Sequence, residues 1–255
     1  MVKIDVLLDG QPLRTREGAV GFCSVVLVEG PTMRTLVDVG HVGRRNVLKA
    51  ALQSRGLTAD DIDNVVASHM HWDHAQNLDI FPNSKILIHG TERRYAARPH
   101  RNDWATPAWS GPMLESQKHI VEVDDGYEIE SGITIMHTPG HSVGSICVVA
   151  DTDDGRCVVS GDVLHYLSVA VTKKCPTVFW NVEQANKSVE RIVDTADIIY
   201  PGHDRPFRLT RSGKVEYLWP NKLTLYGVAA DTPGLGFDST PFPPYVMSGI
   251  EEQTL

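Results

Sequence analysis

The sequence predicts an α/β protein, and three observations carry that prediction. Short apolar, β-branched runs recur along most of the chain, helical spacing interrupts them, and strands, helix and strand follow one another in each half as a coarse duplication. There is no short-period repeat. Taken in order, residues 3–8, 22–28 and 36–39 read as early strands. Residues 46–55 have helical spacing, with Gly56 as the stop. Thr58, Ala59, Asp60 and Asp61 read as a capped helical turn entering a strand at 65–67. A short helix is expected at 75–80 and a strand at 85–88.

The texture then changes. Residues 91–116 carry Arg93, Arg94, Tyr95, Arg98, His100, Arg101, Trp104 and Trp109, three prolines and little periodicity. Strands resume at 119–123 and 133–136, and those at 146–150 and 156–160 are joined by a hairpin connection ending in Gly155. Residues 182–195 form an amphipathic helix with Val182, Ala185, Val189, Ile192 and Val193 on one side, and 198–200 is a last short strand. The expected organisation is one domain over 1–225, with 91–116 as a candidate lid insertion. A Gly/Pro-rich C-terminal arm over 226–255, bearing Phe237, Phe242 and Tyr245, is expected to pack on the body or to join a homo-oligomer.

Of the 255 residues 42% are hydrophobic, enough for a core and too many for a disordered chain. The net charge of −8 argues against nucleic acid as a partner, which would favour a basic face. No segment reaches the ~18 apolar residues of a membrane span. The first ten residues are too charged for a signal peptide, so a cytoplasmic location is expected. Cys23, Cys147, Cys157 and Cys175 form no C-x-x-C pair and read as buried free thiols, which disfavours a cysteine-based metal site.

The densest chemistry lies in His69, Met70, His71, Trp72, Asp73 and His74. Side chains two apart share one side of an extended segment, whereas on a helix they diverge by roughly 200°. After the apolar run 64–68, the hexapeptide therefore reads as a strand end opening into a loop. His69 and His71 converge on one ion, and Asp73 and His74 point at a second. Three further strand ends carry a metal-competent side chain after a small-residue turn: His141 in Thr138-Pro139-Gly140-His141, Asp162 in Ser160-Gly161-Asp162, and His203 in Tyr200-Pro201-Gly202-His203. Each alone is a weak signal. Their convergence in one chain is strong.

The order His-x-His-x-Asp-His, Pro-Gly-His, Gly-Asp, Pro-Gly-His resembles the metallo-β-lactamase superfamily over roughly residues 20–210. Within it, the stretches at 77–82 and 196–207 are similar to the metallo-β-lactamase-domain-containing protein 1 group, and the layout is similar to the acyl-homoserine lactonases. The resemblance implies an αββα sandwich, two central mixed sheets flanked by helices, with metals at one edge. It also implies His69, His71 and His141 on one metal, Asp73, His74 and His203 on the other, and Asp162 bridging both. The metals implied are divalent, with zinc first and iron or manganese as alternatives. Asp38, at the end of the 36–39 strand, matches an early Asp-x-Gly strand end and is expected to orient a ligand. Zinc β-lactamases place a cysteine on the second metal and lack the Asp at the position of Asp73, which disfavours a true β-lactamase. Many lactonases have a tyrosine three residues after the bridging aspartate; here His165 stands there, followed by Tyr166.

Such a site implies hydrolysis of a small ester, lactone, thioester or similarly activated bond by a metal-bridging hydroxide. Asp73, Asp162 and His165 are the candidate catalytic residues, His165 as a proton donor to the leaving group. His137 is expected to be structural, and His41, His89, His100 and His119 carry no assignment. Trp72 and the aromatics of 91–116 are candidate pocket walls. A phosphodiesterase or nuclease on the same scaffold is the competing reading, as is an iron-dependent redox protein. Against these stand the acidic balance and the lack of a flavin or Rossmann glycine motif.

Overall fold

Alternation along the strands decides the layering. In the strand Val25–Glu29, Val25 and Leu27 belong to one buried cluster while Val26 and Val28 belong to another. In Ile146–Thr152, Ile146, Val148 and Ala150 face the same cluster as Val26, and Cys147 and Val149 face away from it. Successive side chains leave opposite faces of a strand, so a run apolar at every position is buried on both faces. The computed structural model, which describes residues 1–210, 215–220, 222–224, 236 and 243–253, places two sheets face to face accordingly.

The first sheet runs in the spatial order Lys3–Leu8, Val25–Glu29, Arg34–Val37, Asn64–Val66, Lys85–His89 and Ile120–Val123, its last four strands parallel. The second runs Val215–Tyr217, Phe207–Leu209, Ile198–Pro201, Gly155–Gly161, Ile146–Thr152, Ile133–His137 and Glu128–Glu130. Its central pair, Gly155–Gly161 and Ile198–Pro201, is parallel, and the remainder is antiparallel. The inter-sheet core joins Val26, Val37, Val66 and Leu87 to Ile133, Ile135, Val148 and Val159. Helix Arg45–Gln53 covers the outer face of the first sheet through Leu48 and Leu52. Helix Val182–Thr195 covers the second through Ala185, Val189 and Ile192, and starts where the Asn181 side chain accepts the Gln184 amide. This is the αββα sandwich, and it brings the ends of Arg34–Val37, Asn64–Val66, Ile133–His137, Gly155–Gly161 and Ile198–Pro201 to one edge.

Two local expectations differ from the structure. The helix expected at 75–80 begins earlier, as a turn at Trp72–Ala75, and continues as a 3-10 turn at Leu78–Ile80. Asp73 and His74 thus sit in a helical turn rather than a loop. Residues 91–116 lack overall periodicity because two short helices, Gly90–Ala97 and Ser110–Glu115, flank an irregular stretch. Glu92, Ala96 and Leu114 are core residues, whereas Trp104 is about half exposed, at 51%.

Residues 243–253 pack on the body, where Tyr245–Val246 pairs in parallel with Thr177–Val178 and Met247 packs on Ala105 and Phe179. Phe237 and Phe242 lie outside the described residues. All four cysteines are buried and free. Among the described residues no helix is long and apolar enough to cross a membrane.

Candidate metal centre

Asp38 organises the edge of the first sheet. It adopts a left-handed backbone, φ 59°, and its carboxylate accepts the Ser68 amide at 2.9 Å, the Ser68 hydroxyl at 2.8 Å and His74 Nδ1–H at 2.7 Å. The Ser68 hydroxyl, donating to Asp38, is left to accept from His69 Nδ1 at 2.9 Å. On the second sheet, His141 Nδ1 donates to the Thr177 carbonyl at 2.6 Å. In each imidazole Nδ1 is engaged on the outer side, so Nε2 of His69, His74 and His141 faces inward.

These inward atoms form two clusters, His69, His71, His141 and Asp162 in one and Asp73, His74 and His203 in the other, with potential ligand atoms within 4.8 Å of one another in each. Asp162 stands between them. Its Oδ1 is 3.0 Å from His74 Nε2 and 3.2 Å from His203 Nε2, and its Oδ2 is 3.8 Å from His141 Nε2 and 3.1 Å from His165 Nε2. Asp73 Oδ2 lies 3.3 Å from His203 Nε2, and His71 Nδ1 lies 3.1 Å from His141 Nε2. The close approach needs Gly202, since a Cβ there would sit 2.2 Å from Asp162 Oδ1. All seven side chains expected to meet do meet, and all are buried.

Electrostatics separates the clusters. Burial, reinforced by neighbouring imidazoles, holds His69 and His141 well below the ordinary imidazole pKa, and burial also lowers His71. In the other cluster burial opposes charge, but carboxylates led by Asp162 outweigh it, raising His74 well above its ordinary value and pushing His203 up to about 10. Burial works against the charge of Asp73 as well, yet His74 and His203 draw it down to about 2.

Orphaned atoms test whether the cluster fits divalent ions. Nε2 of His69 and His74 and Oδ1 of Asp162 are buried without a hydrogen-bond partner. His74 Nε2 and Asp162 Oδ1 are only 3.0 Å apart, but they are not aligned as a hydrogen bond, the arrangement of two groups aimed at a common third centre. Each orphaned buried polar atom costs about 1–3 kcal/mol, a cost that a shared cation removes. The nitrogen and carboxylate donors suit zinc, iron or manganese. The residues fit the ions.

His165 lines the cleft above this cluster, its ring stacked on His203 at 5.6 Å and facing His141 at 5.1 Å. The cleft, about 740 Å³ and open to solvent, is walled by Leu13, Trp72, Trp104, Tyr166 and Phe179. Phe179 packs edge-on against His71 at 4.6 Å, and Trp104 and Tyr245 pack on Phe179 at 5.4 and 5.3 Å. His137 stacks flat on His89 at 3.9 Å and does not line the cleft. Sequence reasoning missed Ser68, Glu92 and the Thr177 carbonyl, none of which belongs to a ligand motif. It also missed Cys175, which is buried beside His141 and His165.

A family model described as the metallo-beta-lactamase superfamily matches residues 18–203. The metallo-beta-lactamase domain-containing protein 1 of Mus musculus is 31% identical over 72% of this chain, which spans 63% of that relative, under two thirds of its length. An N-acyl homoserine lactonase of Bacillus thuringiensis is 29% identical over 72% of this chain and 70% of its own. Among solved structures, AidC, a dizinc quorum-quenching lactonase in complex with a product, superposes with a TM-score of 0.61 at 18% identity, covering 82% of this chain and 83% of its own. At that identity the likeness concerns the fold.

Proposed function

The chain belongs to the metallo-β-lactamase superfamily, and from that premise we propose that it is a metal-dependent hydrolase that holds two divalent ions and hydrolyses a small ester, lactone, thioester or similarly activated bond. The observation that carries the reading is the pair of ligand clusters meeting at the two oxygens of Asp162. In this reading His69, His71 and His141 hold one ion, Asp73, His74 and His203 hold the other, and Asp162 serves both. When bound, such ions supply Lewis acidity, bringing the pKa of water toward neutrality and offsetting negative charge on a carbonyl oxygen. Zinc is the proposed metal, and the dizinc lactonase of the same fold supports it.

The chain's own residues do the rest. Asp38, Ser68 and Thr177 hold Nδ1 of His74, His69 and His141, so none of these three rings has to turn before accepting a ligand. Phe179 packs on His71 and His141, and Trp104 and Tyr245 pack on Phe179, which gives the site an apolar aromatic wall. Arg14 is the one lysine or arginine among the described residues lining the cleft, which favours a small acyl substrate over a polyanion. Full loading followed by elemental analysis should give two equivalents per chain. Turnover should appear among lactones, aryl esters and thioesters before phosphodiesters, and vanish on chelation. One equivalent or less at saturation, or activity confined to phosphodiesters, would refute the proposal.

His165 is the proposed proton donor. Its Nε2 lies 3.1 Å from Asp162 Oδ2 and its ring lines the cleft, so a proton held there sits beside the reacting bond. Replacing His165 with Gln should slow substrates with poor leaving groups by at least ~10²-fold, the lower end of general-acid contributions, and activated aryl esters far less. Equal losses across the series would leave His165 as a wall residue.

A further inference from the structure

One buried acid near the centre faces no proposed ligand. Glu92 is 0% exposed near the start of the helix Gly90–Ala97. Its carboxylate accepts the Met70 amide at 2.9 Å, the Gly144 amide at 2.9 Å and the Ser142 hydroxyl at 2.5 Å. Met70 lies between His69 and His71, and Ser142 and Gly144 follow His141. One side chain thus holds, from behind, the loop from the first sheet and the loop from the second.

We propose that Glu92 is a positioning residue that locks these two loops together so that His71 and His141 aim at the same ion. Three features support it. All three partners are donors, and a carboxylate is an acceptor at both oxygens. The approach is close enough to require glycine, since a Cβ on Gly144 would lie 2.5 Å from the Glu92 amide nitrogen and 2.7 Å from its Cβ. The lock is also selective. Among the described contacts Glu92 does not touch Asp73, His74 or His203, and His74 is oriented by Asp38 instead.

Glu92→Gln tests the charge and acceptor pattern at constant shape. A glutamine presents one oxygen and one NH₂ group. With the oxygen toward Ser142 and Gly144, the Met70 amide faces a donor; with the oxygen toward Met70, the Gly144 amide does. Either way one of the two loops loses its anchor, and an unsatisfied buried donor disfavours the native loop position.

The inference rests on reading His69, His71, His141 and Asp162 as metal ligands, and the experiment separates the two. Metal-stripped full-length protein is titrated with cobalt(II), followed by its visible absorption and by elemental analysis, for wild type, Glu92→Gln and Gly144→Ala. Wild type should take up two equivalents. Both variants should bind one of them at least ~10-fold more weakly, as loss of an outer hydrogen-bonding partner does, with the other unchanged. Wild-type affinities in Glu92→Gln would overturn the role of Glu92 alone. So would parallel weakening of both equivalents with a lower melting temperature of the metal-free protein, the mark of general fold support. Wild type taking up less than one equivalent would overturn the metal reading with it. Should Glu92→Gln fail to fold, Ser142→Ala removes only the hydroxyl. It should show the same one-site weakening to a smaller extent, and wild-type titration there would likewise overturn the proposal.

Discussion

Replacing Asp162 with alanine is expected to leave the sandwich folded and to lower hydrolysis by more than about 100-fold, the upper end of what losing an outer hydrogen-bonding partner of a metal costs. Oδ1 lies at 3.0 and 3.2 Å from the Nε2 atoms of His74 and His203, and Oδ2 faces His141 and His165. No other described side chain spans both clusters, so its loss removes the group that would keep two cations side by side. The carboxylate is also the leading group that raises His74 and His203 above the ordinary imidazole pKa in the metal-free protein. Its removal therefore alters the ligands before any metal arrives. The fold is expected to survive because Asp162 sits past the last residue of Gly155–Gly161, beyond the strand pairing and outside the hydrophobic clusters. Circular dichroism, elemental analysis and turnover on one sample decide it. A folded Asp162→Ala protein that keeps two metals and near wild-type turnover would remove Asp162 from the centre of the mechanism.

The candidate metal cluster was legible because the proposed ligands follow strand ends, where a short apolar run, a turn and a polar side chain are contiguous in sequence. The same contiguity explains the strands around 146–161 and the helix Val182–Thr195, whose periodicities are complete. What escaped was fixed by tertiary contact. Glu92 sits beside Arg93, Arg94 and Tyr95 in a stretch with little periodicity, and its burial arises through tertiary contact with Met70, Ser142 and Gly144. The helix Ser110–Glu115 holds Gly111 and Pro112, poor helix formers; it is docked through Gly111 against the backbone of Ala96 and Ala97. The Thr177 carbonyl that sets the His141 tautomer is a backbone group and leaves no mark in a sequence. The strand Phe207–Leu209 and the edge strand beside it, Val215–Tyr217, are too short for any period to declare itself.

Asp38 is the residue whose most conservative replacement is expected to do the most damage away from the bridging position. Asparagine tolerates the left-handed backbone at φ 59°, so Asp38→Asn should fold. Its side chain must then choose an orientation. The Ser68 amide can only donate, so the Asn oxygen goes to it, in the place of Oδ1. The NH₂ group then replaces Oδ2 and faces the Ser68 hydroxyl and His74 Nδ1. A donor facing Nδ1 selects the imidazole tautomer with its proton on Nε2, the atom 3.0 Å from Asp162 Oδ1 and aimed at the proposed second ion. Binding would require the reverse tautomer, with two donors facing each other in a buried site. The equivalent substitution of a histidine-orienting aspartate in serine proteases keeps the geometry and costs ~10⁴ in turnover through the wrong tautomer. A loss of ~10–100-fold in affinity for one metal equivalent, with the His69, His71 and His141 cluster less affected, is expected here. Turnover should fall by at least that factor. The matching measurement is a metal titration beside the melting temperature of the metal-free protein. Undiminished binding of both equivalents in a folded Asp38→Asn chain would mean that His74 is not the second ion's ligand through Nε2, and that Asp38 holds Ser68 alone.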